Sequence, residues 1–276
     1  MIFRHLLSFA RRAVAIGAIA GAPMGAAAGG GLPDHLISVE VLPGWQTKTG
    51  NRMAGLQLNL APGWKTYWRS PGDAGIPPQF SWRGSKNLKG VKVHWPSPSV
   101  YNSYGMRTVG YSRDVILPIT VVPRDPSLPV RLKGRIDLGV CEVVCVPMTL
   151  KLDTRLDGKG QSDLNIHQAL ATLPVPAERA GVSAVVCQIS PTRDGVKLSA
   201  KITMPQISSS EVVLVETHDP RIWVAEPQAR RKGNSLYTET EIVPPSGEVL
   251  ALNRDRLRFT VIGASQAVDI AGCAAG

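Results

Sequence analysis

The sequence predicts an all-β protein made of two immunoglobulin-like β-sandwich domains that are joined by a short helix and a linker. Apolar and polar residues alternate in short runs, as in LQLNL at residues 56–60, and this period of two places alternate side chains on a buried face. The 27 glycines and 22 prolines are scattered along the chain, which suits many short strands joined by turns. Strand-like runs recur at regular spacing, which is typical of a sandwich.

The composition allows one large domain or two ordinary ones. The chain has 276 residues, of which 43% are hydrophobic and 19% charged, so it can fill a real core. The formal net charge is +10, but the basic residues are dispersed. Their compact run, Arg230-Arg231-Lys232, is interpreted as a solvated loop. Nucleic acid is therefore not an expected partner.

Residues 1–28 have the pattern of a secretory signal peptide. Three arginines in the first twelve residues give a positive start, an apolar run follows at 13–22, and alanines at 26–28 supply a cleavage site of small residues. The apolar run is too short to span a bilayer stably. We expect cleavage near Ala28 and export to the periplasm, and we predict no later membrane span, so the mature protein is expected to be soluble.

The first predicted domain covers residues 29–158. Its clearest strands lie at 56–60, 91–95 and 115–121, and turn signals such as Pro62-Gly63 separate them. These strands alternate between apolar and polar residues, so one face of each is expected to meet a core.

A helix and a linker are predicted at residues 159–180, before a second sandwich at 181–276. Ser162 is suited to cap a helix over 162–173, Pro174 stops it, and residues 174–179 are interpreted as the linker. The second block contains six predicted strands, at 182–189, 196–202, 212–216, 222–225, 236–242 and 257–262.

Four cysteines allow three disulfide pairings. An even count in an exported protein usually means disulfides. The pairing of Cys141 with Cys145 and of Cys187 with Cys273 respects the predicted domain division and is favoured. A loop as long as the second stabilises by roughly 4.6 kcal/mol and one as short as the first by about 2 kcal/mol, so Cys187–Cys273 is expected to be structural. Short, exposed bridges are the ones that exchange readily.

The segment LGVCEVVCVP at residues 138–147 predicts a β-hairpin with a three-residue tip. In such a hairpin Cys141 and Cys145 face each other at a distance that suits a disulfide. Spacing alone leaves two other interpretations open: a purely structural hairpin disulfide in a non-catalytic β-sandwich binding module, and a periplasmic copper-binding protein with a Cu(I) site completed by Met148 or His94. The ligand pattern of a zinc site is absent, and we assign no metal and no cofactor.

The first domain resembles the amino-terminal periplasmic domain of DsbD and the equivalent region of its relative ScsB. The matching stretches are PGWKTYW at 62–68, VHWP at 93–96, Tyr104-Gly105, YSRD at 111–114, LPI at 117–119, and the cysteine hairpin with Pro147. The resemblance covers about residues 36–155. Three residues separate the cysteines here, as in the ScsB branch, whereas DsbD has five.

The resemblance implies a thiol:disulfide interchange protein in which Cys141 and Cys145 are the redox-active pair. It implies that a membrane-embedded electron donor of the DsbD or CcdA kind reduces the pair, since we expect electrons to come from a separate protein. The pair would then reduce periplasmic thioredoxin-like or disulfide-isomerase proteins. Cytochrome maturation, disulfide repair and copper tolerance are all compatible roles.

The resemblance also implies a loop that covers the cysteines and carries an aromatic tip. Its equivalent lies near residues 101–106, which makes Tyr101, Tyr104 and Met106 candidates for the cover. Tyr67 is a candidate to line the site. Glu142 lies between the cysteines, where a nearby carboxylate raises thiol pKa values, although a solvent-facing turn residue is the favoured interpretation.

Overall fold

The computed structural model describes residues 36–276 apart from 73, 104, 247, 249 and 251. The predicted signal peptide lies outside these residues. The described part of the chain contains twenty strands and a single α-helix, which confirms the all-β fold class. No helix in this part has the length and apolar character needed to cross a bilayer.

Residues 37–156 form two sheets that enclose a core. Their strands are β1 Ile37–Gln46, β2 Arg52–Leu60, β3 Lys65–Tyr67, β4 Gln79–Ser81, β5 Leu88–Val93, β6 Ser99–Ser103, β7 Met106–Tyr111, β8 Val115–Pro123, β9 Val130–Cys141 and β10 Cys145–Leu156. One sheet has the order β1-β2-β8-β5. The other has the order β10-β9-β3-β7-β6, with β4 also paired to β9.

The core between these two sheets is formed by the buried residues that alternate with exposed ones along their strands. In β9, Arg131, Lys133 and Arg135 are exposed, while Leu132, Ile136 and Leu138, at the alternate positions, are buried. They meet buried residues of β2 and β8, such as Leu56 and Ile119, in one hydrophobic cluster. The two sheets therefore pack face to face as a β-sandwich.

The predicted helix is present as α1, Leu164–Ala171, but its cap is Asp163 and not Ser162. The carboxylate of Asp163 accepts hydrogen bonds from the backbone N–H groups of Asn165, at 2.8 Å, and Ile166, at 3.2 Å. The hydroxyl of Ser162 instead lies 2.8 Å from Nε2 of His167. An N-cap satisfies the free amides of the first turn, and here Asp163 does so.

Residues 175–275 form a second pair of sheets. Their elements are β11 Val175–Pro176, β12 Ala184–Pro191, β13 Val196–Thr203, β14 Val212–Glu216, β15 Trp223–Val224, β16 Gln228–Lys232, β17 Ser235–Val243, a 3₁₀ turn at Arg254–Arg256, β18 Arg258–Ile262, β19 Ala267–Ala271 and β20 Ala274–Ala275. The sheet orders are β11-β19-β18-β14 and β15-β17-β13-β12-β20, with β16 also paired to β17. A second hydrophobic cluster fills the space between these sheets.

Two details of the second half differ from the prediction. Part of the predicted linker forms β11, which pairs in parallel with β19 through Val175 and Val268. The predicted loop at Arg230-Arg231-Lys232 is strand β16. Arg231 pairs with the buried carboxylate of Glu211 at 2.6 Å, so its charge is compensated within the fold rather than solvated in a loop.

The two halves are in close contact. The cluster that fills the first sandwich also contains Leu214, Ile262 and Ala267 from the second, and the described residues 36–276 belong to one compact unit. The domain boundaries derived from the sequence therefore stay a prediction.

Candidate functional site

Cys141 and Cys145 form a disulfide at the tip of the β9–β10 hairpin. Cys141 is the last residue of β9, Cys145 is the first of β10, and the two are register partners with their Cα atoms 4.1 Å apart. The N–H of Glu142 donates to the carbonyl of Val144 across the tip, at 3.1 Å. The hairpin with a three-residue tip thus has the form that the sequence predicts.

The two sulfur-bearing residues differ in exposure. Cys141 is only 6% exposed, whereas Cys145 is an exposed residue. Beside Cys145 the tip presents Val143, which is 80% exposed, and Val144. A thiol from another protein can therefore approach Cys145, while Cys141 is covered.

Tyr67 forms part of this cover. Its hydroxyl lies 2.8 Å from Sγ of Cys141 and 3.3 Å from Sγ of Cys145. Because a disulfide sulfur carries no proton, the tyrosine O–H is the donor in both contacts. Burial raises the pKa of Tyr67 above its usual value of 10, so the hydroxyl keeps its proton at neutral pH.

The register of β3 places Tyr67 over the sulfurs. In this strand Lys65 pairs with Cys141 and Thr66 pairs with Val140. Side chains alternate along a strand, so Tyr67 shares the face of Lys65 and Cys141. The hydroxyl of Thr66 donates to the carbonyl of Gly139 at 3.0 Å and fixes the two strands together.

Gly139 leaves room for the tyrosine ring. A Cβ at this position would lie 3.0 Å from Cε2 of Tyr67 and 2.8 Å from Cβ of Ile76. A glycine inside a strand often marks such a close approach. The roles of Gly139 and Ile76 were not predicted from the sequence, although a glycine two positions before a cysteine was the available signal.

A cavity of about 150 Å³ adjoins the disulfide, and the β6–β7 hairpin forms one wall of it. Tyr101 of β6 and the exposed Met106 of β7 line this wall. The ammonium of Lys65 lies 4.9 Å from the centre of the Tyr101 ring, a cation–π contact that links β3 to β6. The structure thus brings Tyr67, Tyr101 and Met106 together beside the cysteines, while Tyr104 lies outside the described residues.

Glu142 is exposed at the turn between the cysteines and also lines the cavity. Its carboxylate lies against Gly63, where an added Cβ would be 2.6 Å from Oε1. Gly63 has a φ of +86°, a conformation that glycine adopts without strain. Glu142 is therefore the turn residue that the sequence favoured, packed against the turn before β3.

The two ligands considered for copper do not line this cavity. Nε2 of His94 lies 2.8 Å from the hydroxyl of Thr120, in the sheet that does not carry the cysteines. Burial, together with the charge of Lys92, lowers the pKa of His94. Met148 packs against the core of the first sandwich. Over the described ranges, no three His, Cys, Asp or Glu residues are grouped so that they could hold a metal ion.

Cys187 and Cys273 form the second disulfide, with their Cα atoms 5.9 Å apart. Both residues are buried in the core of the second half. This bridge joins β12 to the segment that precedes β20 and so ties the end of the chain to the sheet.

Comparison with known proteins agrees with this architecture. Residues 38–156 match the family model described as "Thiol:disulfide interchange protein DsbD, N-terminal". The chain is also similar to the solved N-terminal periplasmic domain of ScsB from Proteus mirabilis, with 25% identity and a TM-score of 0.63 over 87% of this chain and 92% of that one. No curated protein sequence matches. The resemblance to DsbD and ScsB that the sequence motifs indicated is confirmed.

Proposed function

We propose, from the match of residues 38–156 to the DsbD N-terminal family, that this chain exchanges electrons with other proteins through Cys141 and Cys145. The observation that carries the proposal is the asymmetry of the disulfide. One sulfur-bearing residue is exposed and the other is buried beneath a tyrosine hydroxyl. The periplasmic location of the similar ScsB domain supports the periplasm as the place of action.

The exchange takes place in two displacements. A thiolate of the partner attacks Sγ of Cys145, the bond between Cys145 and Cys141 breaks, and its electron pair leaves on Cys141, which then takes up a proton. The second partner thiolate attacks the partner's own sulfur in the mixed disulfide and releases Cys145 as a thiolate, which is also protonated. The partner loses two electrons and becomes a disulfide, while this chain gains two electrons and two protons.

Tyr67 stabilises the group that leaves in the first displacement. Its hydroxyl is already 2.8 Å from Sγ of Cys141, so it donates to the sulfur on which negative charge develops. Hydrogen bonds to an ionised acceptor are about twice as strong as neutral ones. The same contact favours attack at Cys145, since that direction places the charge on Cys141.

The surface around Cys145 suits a protein partner. Val143, Val144, Met106 and Ile76 are all large apolar residues that are exposed. Exposed apolar groups clustered at a site favour association with another protein. We propose that thioredoxin-like periplasmic proteins dock here, and that a membrane-embedded electron donor reduces the pair through the same surface.

A trapping experiment tests this function. Cys141→Ala leaves Cys145 as the lone exposed thiol of the pair. The probe is a thioredoxin-like protein that retains only its attacking cysteine and carries thionitrobenzoate on it as a mixed disulfide. The thiolate of Cys145 is expected to attack the sulfur of the probe's cysteine and release thionitrobenzoate, which leaves the two proteins joined by a disulfide. The matched control is Cys145→Ala, in which the remaining Cys141 is buried and traps far less. Non-reducing electrophoresis measures the complex, and folded variants that both fail to form it would refute the proposal.

The reduction potential separates an exchanging bridge from a structural one. Structural disulfides have potentials below about −300 mV. We expect the Cys141–Cys145 couple to lie above that value when equilibrated with a glutathione or dithiothreitol buffer. A lower value would identify the hairpin disulfide as structural.

A further inference from the structure

Two arginines in the first sandwich, each next to residues that form the site, reach across to the second sandwich. Arg69 lies two residues after Tyr67, and Arg107 lies one residue after Met106. Both side chains end on carboxylates of the second half, at Glu216 and Glu226. The two strands that cover the cysteines are therefore each tied to the other half of the molecule.

The contact of Arg69 is the more complete one. Its Nε and Nη2 atoms donate to the two carboxylate oxygens of Glu216 at 2.9 Å and 3.0 Å. Nη2 also donates to the hydroxyl of Thr260 at 3.2 Å, and the guanidinium stacks on the ring of Trp68 at 3.7 Å. The side chains of Arg69 and Glu216 are 13% and 19% exposed. Solvent therefore screens this bidentate ion pair only weakly.

Arg107 makes a similar contact from β7. Its Nη2 lies 2.9 Å from Oε1 of Glu226, and Nη1 donates to the carbonyl of Pro227 at 3.4 Å. Met106 and Thr108, the neighbours of Arg107 in the chain, line the cavity beside the disulfide. This pair thus holds the cavity wall against the second half.

The strand that carries Tyr67 is short, and the residues that follow it hold its end in place. β3 has three residues, and Tyr67 is the last of them. Beyond it the backbone is joined to β7 by the bond from the N–H of Trp68 to the carbonyl of Val109, at 3.0 Å. The next residue is Arg69, and its ion pair is the next contact that holds this part of the chain in place.

We propose that Arg69 and Glu216 are positioning residues that hold the Tyr67 hydroxyl at the sulfur of Cys141, so that the second sandwich tunes the exchange reaction. The proposal rests on the proposed function, since it concerns the rate of the displacement at Cys145. Small misplacements of a group that stabilises the transition state slow a reaction strongly. Arg107 and Glu226 hold the opposite wall of the site in the same way.

The test measures the rate at which reduced dithiothreitol cleaves the Cys141–Cys145 disulfide in the full chain, well below the unfolding midpoint. Arg69→Met and Glu216→Gln are each expected to slow cleavage at least about threefold, because the tyrosine hydroxyl is displaced from the leaving sulfur. Glu216→Gln touches no residue of the site and keeps the shape of the side chain. It therefore removes the charge of Glu216 alone, while Asp269, whose Oδ1 lies 3.8 Å from Nη2 of Arg69, keeps its own. Wild-type rates in both variants would overturn the proposal.

Arg231→Met is the matched control. Arg231 and Glu211 form another ion pair of low exposure, at 15% and 3%, and it lies within the second half. Its loss is expected to lower stability and to leave the cleavage rate unchanged. If Arg231→Met slows cleavage as much as Arg69→Met, the effect is general loosening and the proposal fails.

A double-mutant cycle shows whether Arg69 acts through Tyr67. Tyr67→Phe removes the hydroxyl, and in that background Arg69→Met is expected to cause no further slowing, because coupled residues have non-additive effects. Equal slowing in both backgrounds would overturn the proposal while leaving the exchange function intact. A folded wild-type protein whose hairpin disulfide resists dithiothreitol altogether would instead refute the proposed function itself.

Discussion

At the scale of single residues, the missing side chain of Gly139 determines how closely Tyr67 can approach the disulfide. The ring of Tyr67 and the side chain of Ile76 occupy the space that a Cβ would need. The hydroxyl reaches both sulfurs from this position. The site thus depends on a residue that carries no functional group.

Gly139→Ala is expected to impair the site and to destabilise the fold. The added methyl would lie within 3.0 Å of Tyr67 and Ile76, and overpacking of this kind costs about 1–3 kcal/mol. Urea unfolding measures the loss, and the rate of cleavage by dithiothreitol should fall together with it.

Gly90→Ala is the control for that substitution, since a Cβ at Gly90 meets no atom within 4 Å. Its stability and cleavage rate should stay close to those of the wild type. If Gly139→Ala behaves like Gly90→Ala, then Tyr67 does not depend on the space above Gly139.

The site residues were predictable from sequence to different degrees. The spacing of Cys141 and Cys145 predicts a hairpin, and the PGWKTYW motif directs attention to Tyr67 through its resemblance to a family. Gly139 and Ile76 were not predictable in their roles, because a close approach between two strands depends on their register. Arg69 was missed for a related reason, since Glu216 lies in the other half of the chain.

At the scale of elements, the start of α1 shows a choice of N-cap that the sequence alone does not predict. Ser162 and Asp163 are adjacent and both belong to the residue types that favour N-caps. Their order in the sequence cannot decide between them, because the choice depends on which side chain reaches the free amides. In the structure Asp163 accepts from two amides, while Ser162 faces His167.

Asp163→Ala is therefore expected to lower the free energy of unfolding by about 1 kcal/mol, the usual effect of losing an N-cap. Thermal or urea unfolding of the full chain provides the measurement. Ser162→Ala, which leaves the two capped amides satisfied, should have a smaller effect. A larger loss from Ser162→Ala would contradict the assignment of the cap.

The strands were predictable where apolar residues alternate over a long run, and less so where the strand is short or rich in charged residues. All six strands predicted in the second half overlap observed strands. Strand β16, with the sequence QARRK, was missed because charged residues resemble a loop. It pairs with β17 and has mostly exposed side chains, so the backbone ladder rather than apolar burial keeps it in the sheet.

At the scale of the whole molecule, the two disulfides differ in both loop length and access. The chain-entropy estimate gives about 2 kcal/mol for the loop from Cys141 to Cys145 and about 4.6 kcal/mol for the loop from Cys187 to Cys273. The first bridge has an exposed residue and the second is buried at both ends. The molecule therefore carries one bridge open to exchange and one protected from it.

We expect the Cys141–Cys145 bridge to be reduced before the Cys187–Cys273 bridge. Brief treatment with limiting dithiothreitol, followed by alkylation and peptide mass spectrometry, should label Cys141 and Cys145 before Cys187 and Cys273. The reason is that attack needs access to a sulfur. Simultaneous labelling of all four, in protein that remains folded, would contradict the protected role of the second bridge.

The apolar contact between the halves has a practical consequence for shortened versions of the chain. Leu214, Ile262 and Ala267 belong to the hydrophobic cluster that the first two sheets enclose, yet the matched family segment ends at residue 156. A fragment that ends at that residue would expose this apolar surface to water. It would also leave the guanidinium of Arg69 without its partner carboxylate. We expect such a fragment to aggregate, and its disulfide exchange would differ from that of the intact protein.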